Sequence, residues 1–356
     1  MAALGQPVHP KRKFAMRLVP VCVALVLAAI SVPALADPVE DFYRGRNVTM
    51  LIGYSAAGGY DTYARVVANH LGDHIPGHPT IVPQSMEGAG SLRAANYLYN
   101  AAAKDGSVIG MVGRGMAMEP LIGRSHASFD SRKFTWLGSG TNEVSTCMTG
   151  HASPVKTWAD ALAKPFTVGG QGSGADPDIF AIVMRNVFGL KLRLISGYPG
   201  TAELTLAIER GEVDGRCGWS YSSLKQQHPD WVARHEVNIL VQLALTKSPE
   251  LPDVPLITDF ATTDRQRQIL RLVFSRQAMA RPFLAPPGVP ADRKQALRTA
   301  FDETMRDPAF LAEAKQRGLE VNPVGGAEID KLIEELYQTP ADIIAEVRDS
   351  IAPGAK

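Results

Sequence analysis

The chain has 356 residues, a length that accommodates two α/β lobes of ordinary domain size. Its composition is 45% hydrophobic and 21% charged, with a formal net charge of +1, as in a soluble globular protein. That balance excludes a bulk electrostatic attraction to nucleic acid or to an anionic membrane surface.

Residues 1–36 read as an export signal that is cleaved, outside the fold. Lys11, Arg12, Lys13 and Arg17 form a basic start. Leu18 to Ile30 is apolar but shorter than the roughly 20 residues of a membrane-spanning helix. Ala34-Leu35-Ala36 is a small-residue cleavage site, which places the mature start at Asp37; an uncleaved anchor is the alternative. Export leaves Cys147 and Cys217 in an oxidising compartment, where they form either a disulfide or two separate thiols.

Val48 to Tyr54 is a continuous apolar run ended by small residues, a buried strand. A helix over Thr62 to Leu71, a strand over Thr80 to Gln84, a helix over Leu92 to Asn100 and a strand over Val108 to Val112 follow, a β-α-β-α-β series with a parallel sheet. Phe134 to Ser139 and Val144 to Met148 read as a strand pair leaving this unit. A second series runs through a strand at Phe166 to Val168, a helix at Ile179 to Phe188, a strand at Leu192 to Ile195, a helix at Thr201 to Arg210 and an extended segment to Trp219. Asn238 to Thr246 is a further strand, and the proline-rich stretch Ser248 to Pro255 a hinge or crossover. After an irregular link, helices are expected over Ala291 to Arg306, from Pro308 to Arg317, and over Ile329 to Arg348 with a break near Pro340. In the first of these, Ala296, Leu297, Ala300, Phe301 and Met305 make a core-facing stripe.

Twice, a strand breaks into a glycine-rich turn that ends in an aspartate and opens a helix: Gly53 to Asp61, and Gly169 to Asp176. Glycines let main chain approach a ligand, and the start of a helix presents unpaired N–H groups at its partly positive end. Each turn is therefore a candidate anion cradle, and two of them suggest two lobes facing one carboxylate-bearing ligand.

The run Gly53-Tyr54-Ser55-Ala56-Ala57-Gly58-Gly59-Tyr60-Asp61, with Ala64-Arg65 after it, resembles the P-F-x-x-G-G-x-x-D…A-R signature of Bug-type receptors, the solute-binding proteins of tripartite tricarboxylate transporters. Glu87-Gly88-Ala89-Gly90, Lys104-Asp105-Gly106, Gly211-Glu212-Val213-Asp214, Leu251-Pro252-Asp253-Val254-Pro255 and Ala285-Pro286-Pro287-Gly288-Val289-Pro290 match further family segments in order. The resemblance implies an α/β fold of the type II periplasmic-binding-protein class: two α/β lobes joined by crossover strands, with the ligand cleft between them. It places lobe one at 37–147 plus 252–356 and lobe two at 148–251. It implies a periplasmic receptor that captures a small organic acid and delivers it to a two-component membrane permease, as a monomer with no cofactor, catalytic residue, metal or nucleic acid. The first cradle carries Tyr54, Ser55, Ala56, Gly59 and Asp61 to the ligand; the second carries Gly170, Gln171, Gly172, Ser173, Gly174 and Asp176. Tyr198, Thr201 and Ser220 complete the expected site.

Asp61 and Asp176 are expected to cap their helices and shape the loops, since a carboxylate in contact with an anionic ligand would repel it. Thr201 is a further candidate cap. Trp219, Ser220 and Tyr221 either wall the pocket or pack in the core. Arg114 and Arg216 are cations placed to pair with a second ligand carboxylate, or solvated loop residues. The sequence departs from the family where Gly53 replaces a proline, where Gly197-Tyr198-Pro199-Gly200 lacks a lysine, and where Arg216-Cys217-Gly218-Trp219-Ser220 replaces a more apolar run. These changes bear on the far end of the ligand.

Two other readings stand beside the receptor. An exported hydrolase would use Ser173, but Gly172-Ser173-Gly174 lacks the G-x-S-x-G spacing and no His-Asp pair is placed to activate it. A receptor that serves signalling would share the ligand-closed state. His70, His74 and His78 have helical spacing for a metal, but Gly72, Pro76, Gly77 and Pro79 are expected to break that helix.

Overall fold

A computed structural model describes residues 37–123, 127–172 and 174–352. The export signal and Ser173 lie outside the described residues.

The strands are β1 (Asn47–Ile52), β2 (Thr80–Ser85), β3 (Val108–Met111), β4 (Thr135–Ser139), β5 (Ser145–Gly150), β6 (Phe166–Gly169), β7 (Leu192–Ile195), β8 (Gly215–Ser220), β9 (Val237–Leu243), β10 (Pro282–Ala285) and β11 (Val324–Gly325). They form two sheets, in the orders β11-β4-β10-β3-β1-β2 and β7-β6-β8-β5-β9. In the first, β1 is parallel to β2 and β3, while β10 runs antiparallel to β3 and β4. In the second, β6 is parallel to β7 and β8, while β5 is antiparallel to β8 and β9.

β4 and β5 do not form the expected strand pair. β4 stays in the first sheet, between β11 and β10, and β5 opens the second, between β8 and β9. The chain crosses between sheets at 140–144 and returns after β9 through a segment holding the helix Asp264–Phe274. That helix starts from a capping box of Thr263 and Gln266.

The helix Ala291–Thr304 packs on the helix Gly59–His74 beneath the first sheet, with Leu297, Ala300, Phe301 and Met305 buried. The helix Gly59–His74 runs through Gly72 to His74, further than its glycine suggests. His70 meets Glu313 and His74 meets Asp307, at the helix Pro308–Gln316, so the two rings tie surface helices together. The C-terminal helices Gly326–Tyr337 and Ala341–Ser350 pack on β4 and on the helix Asp264–Phe274. Asn186, from the helix Asp176–Phe188, donates its amide hydrogens to the carbonyls of Ser350 and Ala352. The second sheet carries a covalent tie: Cys147 of β5 and Cys217 of β8 are register partners and form a disulfide.

Candidate functional site

The carboxyl ends of β1, β3, β6 and β8 converge on a cavity of about 30 Å³ between the two sheets. Tyr54 and Tyr60 follow β1, Arg114 follows β3, Gln171 and Asp176 follow β6, and Arg216, Gly218, Trp219 and Ser220 belong to β8. Open α/β sheets bind ligands at this place. The volume is that of about one water molecule, so the sheets are drawn together over the site.

Several contacts hold them shut. Ser55 Oγ donates to Glu203 Oε2 at 3.0 Å, from the turn after β1 to the helix Thr201–Glu209. Gly172 has a positive φ of 117°, and a Cβ there would lie 2.9 Å from the Gly90 nitrogen and 3.0 Å from Ala89, so only glycine permits this approach of the two loops. Asp176 is gripped from two sides, by Arg114 and by Arg276 at 3.2 Å. Arg281 meets Glu143 at 3.0 Å and donates to Ser220 and Ser223 at 3.2 and 2.8 Å.

The turns do not use their aspartates as the sequence suggested. Gly58 is the N-cap of the helix Gly59–His74, and Asp61 lies within its first turn. From there the Asp61 carboxylate accepts the Ala57 N–H at 3.0 Å and pairs with Arg65. In the second turn the N-cap is Ala175, which makes Asp176 the first helical residue, with its carboxylate turned to the arginines. Asp178, in the first turn of the same helix, folds back instead. It accepts the N–H groups of Gln171 at 2.6 Å and Gly172 at 2.9 Å, and the hydroxyl of Ser196. A Cβ on Gly170 would stand 2.6 Å from this carboxylate. Thus in each turn main-chain donors are occupied by the chain's own carboxylate.

Of the residues expected from sequence, Tyr54, Gly59, Gln171, Asp176, Thr201 and Ser220 line the cavity. Ser55, Asp61, Gly170, Gly172 and Gly174 stand behind them in the turns, and Ala56 is exposed. Tyr198 is half-buried against the cluster that holds Leu204 and Trp219. Thr201 is the first helical residue after the N-cap Gly200, so it is not the cap. Trp219 and Ser220 wall the cavity, whereas Tyr221 faces a groove of about 1080 Å³ behind the crossovers, lined by residues such as Val144, Leu245 and Phe274. The groove is larger, but the unpartnered donors cluster in the small cavity.

The arginines are the part of the site that sequence reasoning undervalued. Arg114, Arg216, Arg276 and Arg281 are all at most 2% exposed. Burial pulls the Arg114 guanidinium down, but Asp176 beside it outweighs this and leaves it raised. Arg216 differs. No carboxylate is within ion-pairing distance among the described residues; its Nε and Nη1 have no hydrogen-bond partner, and its guanidinium lies 4.8 Å from the Trp219 ring centre. Burial pushes it down to about 9, against weaker opposing pulls from Tyr54, Asp176 and Asp178, so it remains cationic at neutral pH. Burial also lifts the phenols of Tyr54 and Tyr60, which stay neutral donors. Gly218 explains how β8 reaches this position: its φ is 87°, and a Cβ would meet the Asp176 backbone at 2.8 Å.

The comparisons with known proteins agree with this geometry. A model of the tripartite tricarboxylate transporter family receptor matches residues 63–348. The UPF0065 protein in the TAR-I ttuE-ttuC' intergenic region of Agrobacterium vitis is 24% identical over 295 residues, covering 81% of this chain and 80% of its own. The periplasmic binding protein BugD has a similar structure, with a TM-score of 0.70 at 19% identity, over 86% of this chain and 98% of BugD. MatC from Rhodopseudomonas palustris, with bound malate, gives 0.64 at 17% identity, over 86% and 99%. The chain has the two-lobed fold of these periplasmic binding proteins and belongs to the tripartite tricarboxylate transporter receptor family of solute-binding proteins.

Proposed function

We propose that this receptor, exported to the periplasm, captures a small organic acid between its lobes and presents the closed form to a two-component membrane permease. The observation that carries the reading is the cationic cavity at the strand ends, with Arg114, Arg216 and Arg281 facing it from both sheets. Because the cavity admits about one water, ligand entry requires the lobes to part about the crossovers and to close again, a hinge motion. A ligand that completes contacts available only in the closed form shifts the population toward it. Tyr54, Gly59, Gln171, Asp176, Thr201 and Ser220 are the ligand-facing residues in this reading. MatC with malate, and an R. palustris protein with adipate at a TM-score of 0.66, support a carboxylate as the solute.

The test is native mass spectrometry of residues 37–356 followed by a thermal-shift screen of organic acids. A ligand that binds only the folded state raises its stability by about 2.7 kcal/mol at a hundredfold excess over its dissociation constant. A co-purified acid, or a shift confined to carboxylates, is expected. Shifts from uncharged solutes alone would overturn the reading.

A further inference from the structure

The cavity contains an asymmetry between donors and acceptors. Six buried polar atoms of its lining residues have no hydrogen-bond partner: Arg114 Nη1, Gln171 Nε2, Arg216 Nε and Nη1, Trp219 Nε1 and Arg281 Nε. All are donors. The cavity's carboxylate and serine acceptors are in use. Asp176 has one carboxylate oxygen on Arg114 and the other on Arg276, and Ser220 Oγ accepts from Arg281. Three N–H groups of the two turns, those of Ala57, Gln171 and Gly172, go to Asp61 and Asp178. A buried donor left unpaired is costly, and a buried charge left unpaired more so. Both costs fall if the ligand brings oxygen acceptors.

Resting on the receptor reading, we infer that Arg216 is the counter-ion of the ligand carboxylate, in place of the glycine turns, and that the ligand presents only oxygen acceptors to the site. Its carboxylate pairs with the Arg216 guanidinium, whose Nε and Nη1 have no other hydrogen-bond partner. A second oxygen function, from another carboxylate or a keto or hydroxyl group, takes donors from Arg114, Gln171 or Trp219. An α-ammonium group finds no unpaired carboxylate among the lining residues and stands beside Arg114, Arg216 and Arg281, so amino acids are rejected. The glycine turns position Gln171 and close the lobes.

The inference is tested by isothermal calorimetry and thermal shift on the mature chain with malate, succinate, adipate, 2-oxoglutarate and glutamate, in wild type, Arg216→Gln and Arg216→Met. The pair 2-oxoglutarate and glutamate shares a skeleton and differs at one carbon, where a keto group is replaced by a C–H bearing an ammonium. An acid that binds wild type is expected to lose about thirtyfold or more in both variants, and glutamate is expected not to bind. The unliganded Arg216→Met protein is expected to melt at or above the wild-type temperature, because a buried unpaired charge is replaced by an apolar chain of similar volume. A purely structural arginine would give the opposite, a lower melting temperature, and that result overturns the inference. So does an acid that binds wild type and both variants equally, or glutamate binding as well as 2-oxoglutarate. If no acid binds wild type, the receptor reading fails first, and this inference with it.

Discussion

The two glycine turns use one device and differ in its electrostatics. Each feeds main-chain N–H groups to a carboxylate in the first turn of the following helix, Asp61 in one and Asp178 in the other. Asp61 has its own cation, Arg65, whose side chain is 46% exposed. Asp178 has no cation in ion-pairing contact among the described residues, and burial lifts its carboxyl to about 6 in spite of three hydrogen bonds to it. The charge of the buried Asp61 is thus balanced locally, by an exposed arginine. The second aspartate, Asp178, is buried beside Arg216, whose charge is one of the forces holding it down. A sequence motif that occurs twice therefore builds one turn whose aspartate is balanced outside the site and one whose aspartate is coupled to it.

Removing each carboxylate is the strongest way to break this comparison. Asp178→Ala leaves the N–H groups of Gln171 and Gly172 buried without an acceptor, at about 1–3 kcal/mol for each. The expected loss of stability is about 2–4 kcal/mol, partly offset because a strained carboxylate also disappears. Asp61→Ala releases Ala57, which is exposed, and Arg65 to water, and should cost about 1 kcal/mol. Urea denaturation midpoints of the two variants decide it; equal losses would mean that the turns are equivalent.

Titration sharpens the same contrast with a smaller effect. The Asp178 carboxyl titrates near 6 in the folded chain and near 3.8 in the unfolded one. Between those pH values the folded state holds a proton that the unfolded state has released, so stability falls as pH rises from about 4 to 6 and is level above that. The fall attributable to this group is roughly 2–3 kcal/mol. Melting curves of wild type and Asp178→Asn across that window isolate it, because the asparagine has no proton to lose. A wild-type advantage that grows with pH would contradict the assignment.

Much of this was legible in the sequence, and the failures have common causes. β7 and the helix Leu92–Asn100 were read with their observed ends because continuous or periodic apolar runs there are bounded by glycine or polar turns. The two-sheet architecture followed from the two β-α-β series. That β4 and β5 part into different sheets was not legible, since strand pairing is decided by partners remote in the chain, here β10 and β8. Nor was it legible which aspartate folds back, because the answer turned on whether the helix starts at Asp176 or Asp178. The helix Asp264–Phe274 was passed over although Thr263 and Gln266 spell its capping box. Arg114 and Arg216 were seen as cations but valued as surface groups, since the burial of an arginine depends on the opposite lobe. The available signal was that Arg216 interrupts an otherwise apolar strand, where a solvated charge is out of place.

The glycines supply the mildest contrast, and one that separates closure from folding. Gly172→Ala would place a methyl group 2.9–3.0 Å from the backbone of Ala89 and Gly90 at a φ of 117°. Backbone on both sides cannot yield as a side-chain tip can, so the loops must separate by a few tenths of an ångström. The lobes then close less completely, and an affinity loss of about tenfold, or 1.4 kcal/mol, is expected for any acid that binds wild type. Gly58→Ala faces Thr201 across the same interface, but its nearest neighbour is the Thr201 Cβ at 3.6 Å, an ordinary contact, and its φ of −82° suits alanine. It should weaken the helix start by about 0.5 kcal/mol and leave affinity within about twofold. Calorimetry on both variants reads the difference directly. Equal losses would mean that the second turn has no special part in closing the lobes, and that its glycines serve local backbone geometry alone.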